Sequence, residues 1–203
     1  MAERVELGTR VSEADIRQLR IGQKVYLTGT FFTVMRPWHF TRSLELLRRG
    51  EPLPMAVNDS FLGHCGAVYR ERADGTLKVT EVGPTTSSKF NEFTPEFIKL
   101  SGIRGVIGKG GMDKATQVAM QEHGAVYLSM IGGCTATYTC GVEGIVRKYW
   151  EQPNWTENVL ELKVRNFGPL FVGIDANGNS VYEEARARTE AAMLQMNRRL
   201  FHQ

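Results

Sequence analysis

Twice within residues 81–111, a short apolar run ends in glycine and hands over to small hydroxylated or cationic residues. E-V-G-P-T-T-S-S-K-F comes first, and R-G-V-I-G-K-G-G follows after an intervening helical piece. Proline has no N–H to give a ladder, so Gly83-Pro84 ends the first strand and leaves Thr85, Thr86, Ser87 and Lys89 on a turn. Gly108, Gly110 and Gly111 flank Lys109 without side chains, which lets backbone N–H groups approach a ligand. Taken singly, each pattern reads as an ordinary strand-to-helix turn. Two so close together put donors and positive charge at strand ends, where open α/β sheets bind ligands, and an anionic small molecule fits them.

Composition narrows the class of partner. The chain has 203 residues, 42% hydrophobic and 23% charged, which suits one globular domain with a substantial core. A net charge of +3 without a long basic run gives no support for nucleic acid or a membrane surface. Apolar runs such as 124–134 are too short and too glycine-rich to span a bilayer. The opening M-A-E-R-V-E-L-G-T-R lacks the apolar core of a signal peptide, so a cytoplasmic location is expected. Cys65, Cys134 and Cys140 form no C-x-x-C pair and no zinc spacing, and they read as reduced thiols. The histidines, His39, His64, His123 and His202, do not cluster either. His64 beside Cys65 is the one place where a metal site could assemble in three dimensions, but no bound metal is expected. The thiolates for an iron–sulfur cluster are also lacking in this chain.

Along the chain, Ser12-Glu-Ala-Asp15 is a capping box opening a helix over 13–19, which Gly22 stops. Residues 24–35 are β-rich, with Gly29 marking a bulge or close backbone approach. Pro37 suits the first turn of a helix over 38–49, in which Leu44 and Leu47 point inward and His39 and Arg42 share a face. On this spacing alone His39 reads as a structural histidine. Residues 61–70 and 76–82 form paired strands around the Ala73-Asp74-Gly75 turn. Thr94-Pro95 caps a helix to about residue 100, 105–107 is a short buried strand, and a helix over 113–123 turns Ala115, Val118 and Ala119 inward. Residues 125–130 are another buried strand, followed by I-G-G-C-T-A-T-Y-T-C. Strands over 144–150, 159–164 and 170–174 follow, and a surface helix over 182–200 ends the chain. Strands and helices alternate only in part, which predicts an α/β fold with a mixed sheet in a single domain over 1–203.

The order of the motifs resembles a known family. V-Y-L-T-G-T at 25–30, a histidine and an arginine at 39 and 42, G-E-P-L-P at 50–54 and V-G-P-T-T-S at 82–87 come first. V-I-G-K-G-G-M at 106–112, I-G-G-C at 131–134 and F-G-P-L-F-V at 167–172 follow. Together they are similar to the β subunit of two-subunit L(+)-tartrate dehydratase and to the C-terminal domain of class I iron–sulfur fumarases. The resemblance implies a swivelling β/β/α domain and a hydro-lyase reaction, water added to or removed from a hydroxy-dicarboxylate or unsaturated dicarboxylate. It implies a 4Fe–4S cluster held by a partner α subunit, with none bound by this chain. The assembly would be a hetero-oligomer, or a homodimer when the chain is isolated. It assigns Thr85, Lys109 and His39 to catalysis, with Thr86 and Ser87 beside them; Arg36, Lys89 and Gly110 are further candidates for substrate binding.

Two sites, three residues in all, depart from the family pattern. Met35 and Arg36 stand where an Arg-Asp pair is usual, and Lys89 stands where an arginine follows the T-T-S-x turn. An arginine clasps a carboxylate with two parallel hydrogen bonds, whereas a lysine offers a point charge. Other functions stay open on the residues: a catalytically silent anion-binding or regulatory module, or a self-contained enzyme using Lys109 as nucleophile. Trp38, Trp150 and Trp155 read either as a partner surface or as packing at a domain edge.

Overall fold

The computed structural model describes residues 3–152, 154 and 157–201, with residues 198–201 described by backbone alone. It opens on a strand that the sequence patterning passes over, β1 (Arg4–Gly8), paired in parallel with β2 (Lys24–Thr33). Between them α1 (Glu13–Gln18) starts at the expected capping box. Ser12 Oγ accepts from the Asp15 N–H while the Asp15 carboxylate accepts from the Ser12 N–H. Gly29 is a point of close approach: at φ 135°, a Cβ there would lie 2.1 Å from Thr9 Oγ1. Then α2 (Pro37–Arg48) begins at its proline and buries Leu44, while Leu47 is half-buried.

Residues 61–70, expected as one strand, are two strands in different sheets. β3 (Phe61–Gly63) pairs in parallel with β2 and with β6 (Gly105–Gly108). β4 (Cys65–Glu71) forms an antiparallel hairpin with β5 (Leu77–Pro84). The switch falls on His64, whose N–H donates to Ile107 O at 2.6 Å while its carbonyl accepts from Thr85 N–H at 2.8 Å. One residue thus spends its two backbone groups on two different layers.

Next comes α3 (Thr94–Ser101), in which the Thr94 hydroxyl donates back to Phe90 O and does not cap. α4 (Lys114–His123) is capped by Asp113, and Gly124 ends it in the left-handed conformation. Its buried face is Thr116, Gln117, Ala119 and Met120; Ala115 and Val118 point outward, against expectation. Polar groups can take that face because they find partners: Thr116 Oγ1 donates to Asp113 and Gln117 Nε2 to Gly178 O. β7 (Val126–Ser129), α5 (Thr135–Thr139) and β8 (Val142–Tyr149) follow. The strands expected over 159–164 and 170–174 are one, β9 (Val159–Ile174), because β2 pairs with both halves across two register shifts. α6 (Val181–Phe201) closes the described chain.

The main sheet is mixed, with order β1-β2-β3-β6-β7-β9-β8 and an added β2–β9 pairing. That pairing closes a circuit through β2, β3, β6, β7 and β9, so alternate side chains point inside or outside it. Phe31, Phe61, Ile107, Val126 and Leu128 fill one core with Leu162, Phe167 and Leu170 from β9. Their neighbours Phe32, Leu62, Val106 and Tyr127 face outward and form a second core under α2, α3 and α4. The protein is therefore a single α/β domain with a mixed sheet, as the sequence predicts. Among the described residues no helix is long and apolar enough to cross a membrane.

Candidate functional site

β3, β6 and β7 are parallel, so their C-terminal ends, Gly63, Gly108 and Ser129, open on the same edge. The segments leaving that edge are stitched together through the backbone. Ser87 N–H donates to Lys109 O at 2.9 Å, and Thr86 and Lys109 form an isolated parallel bridge. The two glycine-terminated turns are thus one structure. Gly108 is required where they meet: a Cβ there would lie 2.0 Å from Ser87 Oγ and 3.2 Å from His64 Cβ. Gly110 and Gly111 both have positive φ, so the chain turns sharply just after Lys109.

Above this edge lies a cavity of about 370 Å³. Thr85, Thr86, Lys89 and Lys109 line one end, and Met35 with the β4–β5 hairpin forms the remaining wall. Lys109 is half-buried and Lys89 exposed, and neither has an ion-pair partner among the described residues. Such an arrangement offers two cations and two hydroxyls to an anion, with no carboxylate among the described residues paired to either lysine and Glu81 on the cavity's hairpin wall.

The other predicted residues lie elsewhere. Ser87 is fully buried, and its Oγ accepts from the Tyr127 hydroxyl at 3.0 Å instead of facing the cavity. Gly110 supports the turn without lining the cavity, and Arg36 sits at the N-terminus of α2, next in sequence to the lining residue Met35. His39 is buried behind Met35, with Nδ1 accepting from the Met35 N–H at 3.4 Å and Nε2 donating to Glu157 O at 2.7 Å. Burial, joined by the Arg36 charge, holds its imidazole below the ordinary histidine range against the opposing Glu157 contacts. His39 and Trp150 do share a cluster with Arg42, whose guanidinium lies 5.0 Å from the Trp150 ring centre. Trp38 packs there too, its ring tilted 42° to that of Trp150 at 6.0 Å, while Trp155 lies outside the described residues.

Reading along the sequence misses the far wall and the support beneath. Met35, Gly66, Val68 and Glu81 line the cavity, yet only the hairpin turn is visible in the sequence, not which face it presents. Tyr127 is also missed. From the middle of β7 its hydroxyl donates to Ser87, tying the first turn to the sheet beneath. Its phenol is shifted upward, chiefly by burial. His64 is wholly buried with neither ring nitrogen bonded, and burial pushes its pKa down to about 3. The neighbouring Cys65 thiol is pushed up to about 12 by the same cause, so it is inert as a nucleophile. Among the described residues no three His, Cys, Asp or Glu side chains converge as metal ligands, so these residues do not fit an iron–sulfur cluster.

The domain is thus an α/β fold with a lysine- and hydroxyl-lined cavity at the C-terminal ends of parallel strands, half-walled by a hairpin. The chain belongs to the Fumarase C-terminus family, whose pattern matches residues 1–185. It is 34% identical over 178 residues to the L(+)-tartrate dehydratase subunit beta of Escherichia coli K12, covering 88% of this chain and 86% of that one. A Methanocaldococcus jannaschii protein with the provisional name L(+)-tartrate dehydratase subunit beta is 37% identical over 180 residues, 88% of this chain and 91% of its own. A Geobacillus stearothermophilus protein provisionally named fumarate hydratase class I is 31% identical over 180 residues. Those residues make up 89% of this chain but 34% of that longer protein.

Proposed function

We propose that this chain is the β subunit of a two-subunit hydro-lyase of the tartrate dehydratase and fumarase type, acting on a hydroxy-dicarboxylate. The observation that carries this reading is the joining of the Thr85–Thr86 turn to Lys109 in one cavity with two unneutralised lysines. The names of the relatives agree with it. In this reading Lys109 and Lys89 hold a substrate carboxylate, Thr86 donates a hydrogen bond to it, and Gly110 keeps the approach open. Removing a proton next to a carboxylate builds negative charge on that carboxylate, which fixed cations and donors stabilise without reorganising. Thr85 hands the proton on, and Lys109 is the adjacent cation that makes a hydroxyl serviceable for the task. His39 acts at one remove, by fixing the Met35 backbone, and Ser87 by anchoring the turn; Arg36 adds positive charge at the rim. A 4Fe–4S cluster on a partner α subunit would supply Lewis-acid chemistry toward the leaving hydroxyl. The working enzyme is then a cytoplasmic hetero-oligomer, and this chain alone is idle.

The test is co-expression with a candidate cluster-bearing α subunit, anaerobic iron loading, and assay on malate, fumarate and tartrate. The complex should turn over at least one of them, and the separate chain none. Turnover by the chain alone at ordinary enzymatic rates would refute the subunit reading. One observation favours a second reading, a catalytically silent anion-binding module: neither nearby imidazole is available as a base, His39 being tied to backbone and His64 sealed in the core. Binding of the acids by the complex without turnover of any would select it.

A further inference from the structure

The cavity is electrically lopsided along its length. In the hairpin, Cys65 pairs with Pro84, Gly66 with Gly83 and Val68 with Glu81, so Gly66, Val68, Glu81 and Gly83 share one face. That face runs away from the lysines; roughly 13 Å of strand separates Glu81 from Thr85. Met35 lies flat on it, its Sδ and Cε 2.7 and 3.0 Å from where a Cβ on Gly66 would sit. The lining beyond the lysines and threonines is therefore a thioether, two bare glycines, Ala67, Pro84 and Val68, together with the Glu81 carboxylate. A second carboxylate placed there would meet apolar surface and a like charge, both unfavourable. An alkyl group would meet a polarizable, adaptable wall.

We infer that the substrate is a hydroxy-dicarboxylate bearing an alkyl branch, with its carboxylates gathered at the Lys89–Lys109 end and the branch lying between Met35 and Val68. This rests on the hydro-lyase reading, and the reaction keeps its balance. The C–O bond to the hydroxyl breaks, the neighbouring carbon gives up a proton, a C=C bond forms and water leaves.

The assay uses the iron-loaded complex with malate, tartrate and a series of 2-methyl-, 2-ethyl- and 2-propylmalate. kcat/KM should rise about fourfold per added methylene, the gain from burying one such group. Val68→Thr, which keeps the shape but adds a hydroxyl, should flatten that rise, and Met35→Arg should invert the order in favour of malate and tartrate. Malate or tartrate preferred over every alkylmalate by the unaltered complex overturns the inference while leaving the hydro-lyase reading intact. A complex idle on the whole panel refutes the hydro-lyase reading instead. Binding then decides the inference: with methionine methyls labelled, the Met35 methyl resonance should shift with 2-propylmalate and not with malate, and no shift ends it.

Discussion

His64→Phe should make the protein more stable, although it alters a fully buried residue beside the candidate site. The imidazole sits against Phe90 and Phe40, ring centres 4.6 and 5.6 Å away, and both its nitrogens lack a partner. An unsatisfied buried polar group costs about 1–3 kcal/mol, and phenylalanine removes that cost in an already aromatic pocket. The second term depends on pH. Folding lowers the His64 pKa from 6.5 to about 3, so between those values the unfolded chain binds a proton that the folded one refuses. Stability is then complete above the unfolded value and drains away as pH falls through that window. At about pH 5 the loss is about 2 kcal/mol, from 1.36 kcal/mol for each unit below the unfolded pKa. Urea unfolding of both proteins, followed by circular dichroism, should show the variant ahead by about 1–3 kcal/mol at neutral pH. Its lead should widen by about 2 kcal/mol near pH 5. His39 is depressed too, and Glu13, Asp15, Asp74, Glu96 and Glu143 are held below their usual range, but these groups titrate alike in both proteins. The difference between the curves therefore isolates His64. A variant that is less stable at neutral pH, or whose curve runs parallel to the original down to pH 5, would refute the reasoning.

Three further substitutions probe the joined turns. Tyr127→Phe removes the donor to the buried Ser87 hydroxyl, and should lower unfolding stability by about 1–3 kcal/mol in the same denaturation assay. Gly108→Ala drives a methyl to 2.0 Å from Ser87 Oγ and should sharply reduce soluble yield, while Gly108→Ala with Ser87→Gly should recover much of it. Lys109→Met removes a half-buried cation with no ion-pair partner, so stability should stay within about 0.5 kcal/mol. Calorimetric affinity for a dicarboxylate should meanwhile fall by about 10- to 150-fold, the worth of one hydrogen bond to a charged group.

Local chemistry made part of this protein legible. The Ser12 cap, the proline opening α2, the Gly29 approach and the Gly124 stop each depend on a few adjacent residues, and each lies where the sequence puts it. Features set by distant partners were not legible. β1 lies on the sheet only because β2 offers it an edge, and β9 is continuous only because β2 pairs with both its halves. On α4, apolar spacing pointed to Ala115, Val118 and Ala119; Ala119 is buried, but Thr116 and Gln117, with their hydrogen-bond partners, take the inward places of the other two. The site divides along the same line. Thr85, Thr86, Lys89 and Lys109 reach the cavity because glycine and proline dictate their turns, whereas Ser87 is claimed by Tyr127, forty residues away.

The same division explains why the cavity exists. Had residues 61–70 continued as one strand, the hairpin would have extended the main sheet and no wall would stand over the ends of β3 and β6. His64 prevents this because its N–H is held by Ile107 in one layer and its carbonyl by Thr85 in the other. The side chain at that position makes no hydrogen bond in the core, so its backbone fixes the geometry of the site while its two nitrogens lower stability. A residue can therefore be indispensable in place and replaceable in kind, which is the distinction the phenylalanine variant measures. If His64→Phe folds more stably and still binds anions through Lys109, the wall is set by the chain's path and not by the imidazole.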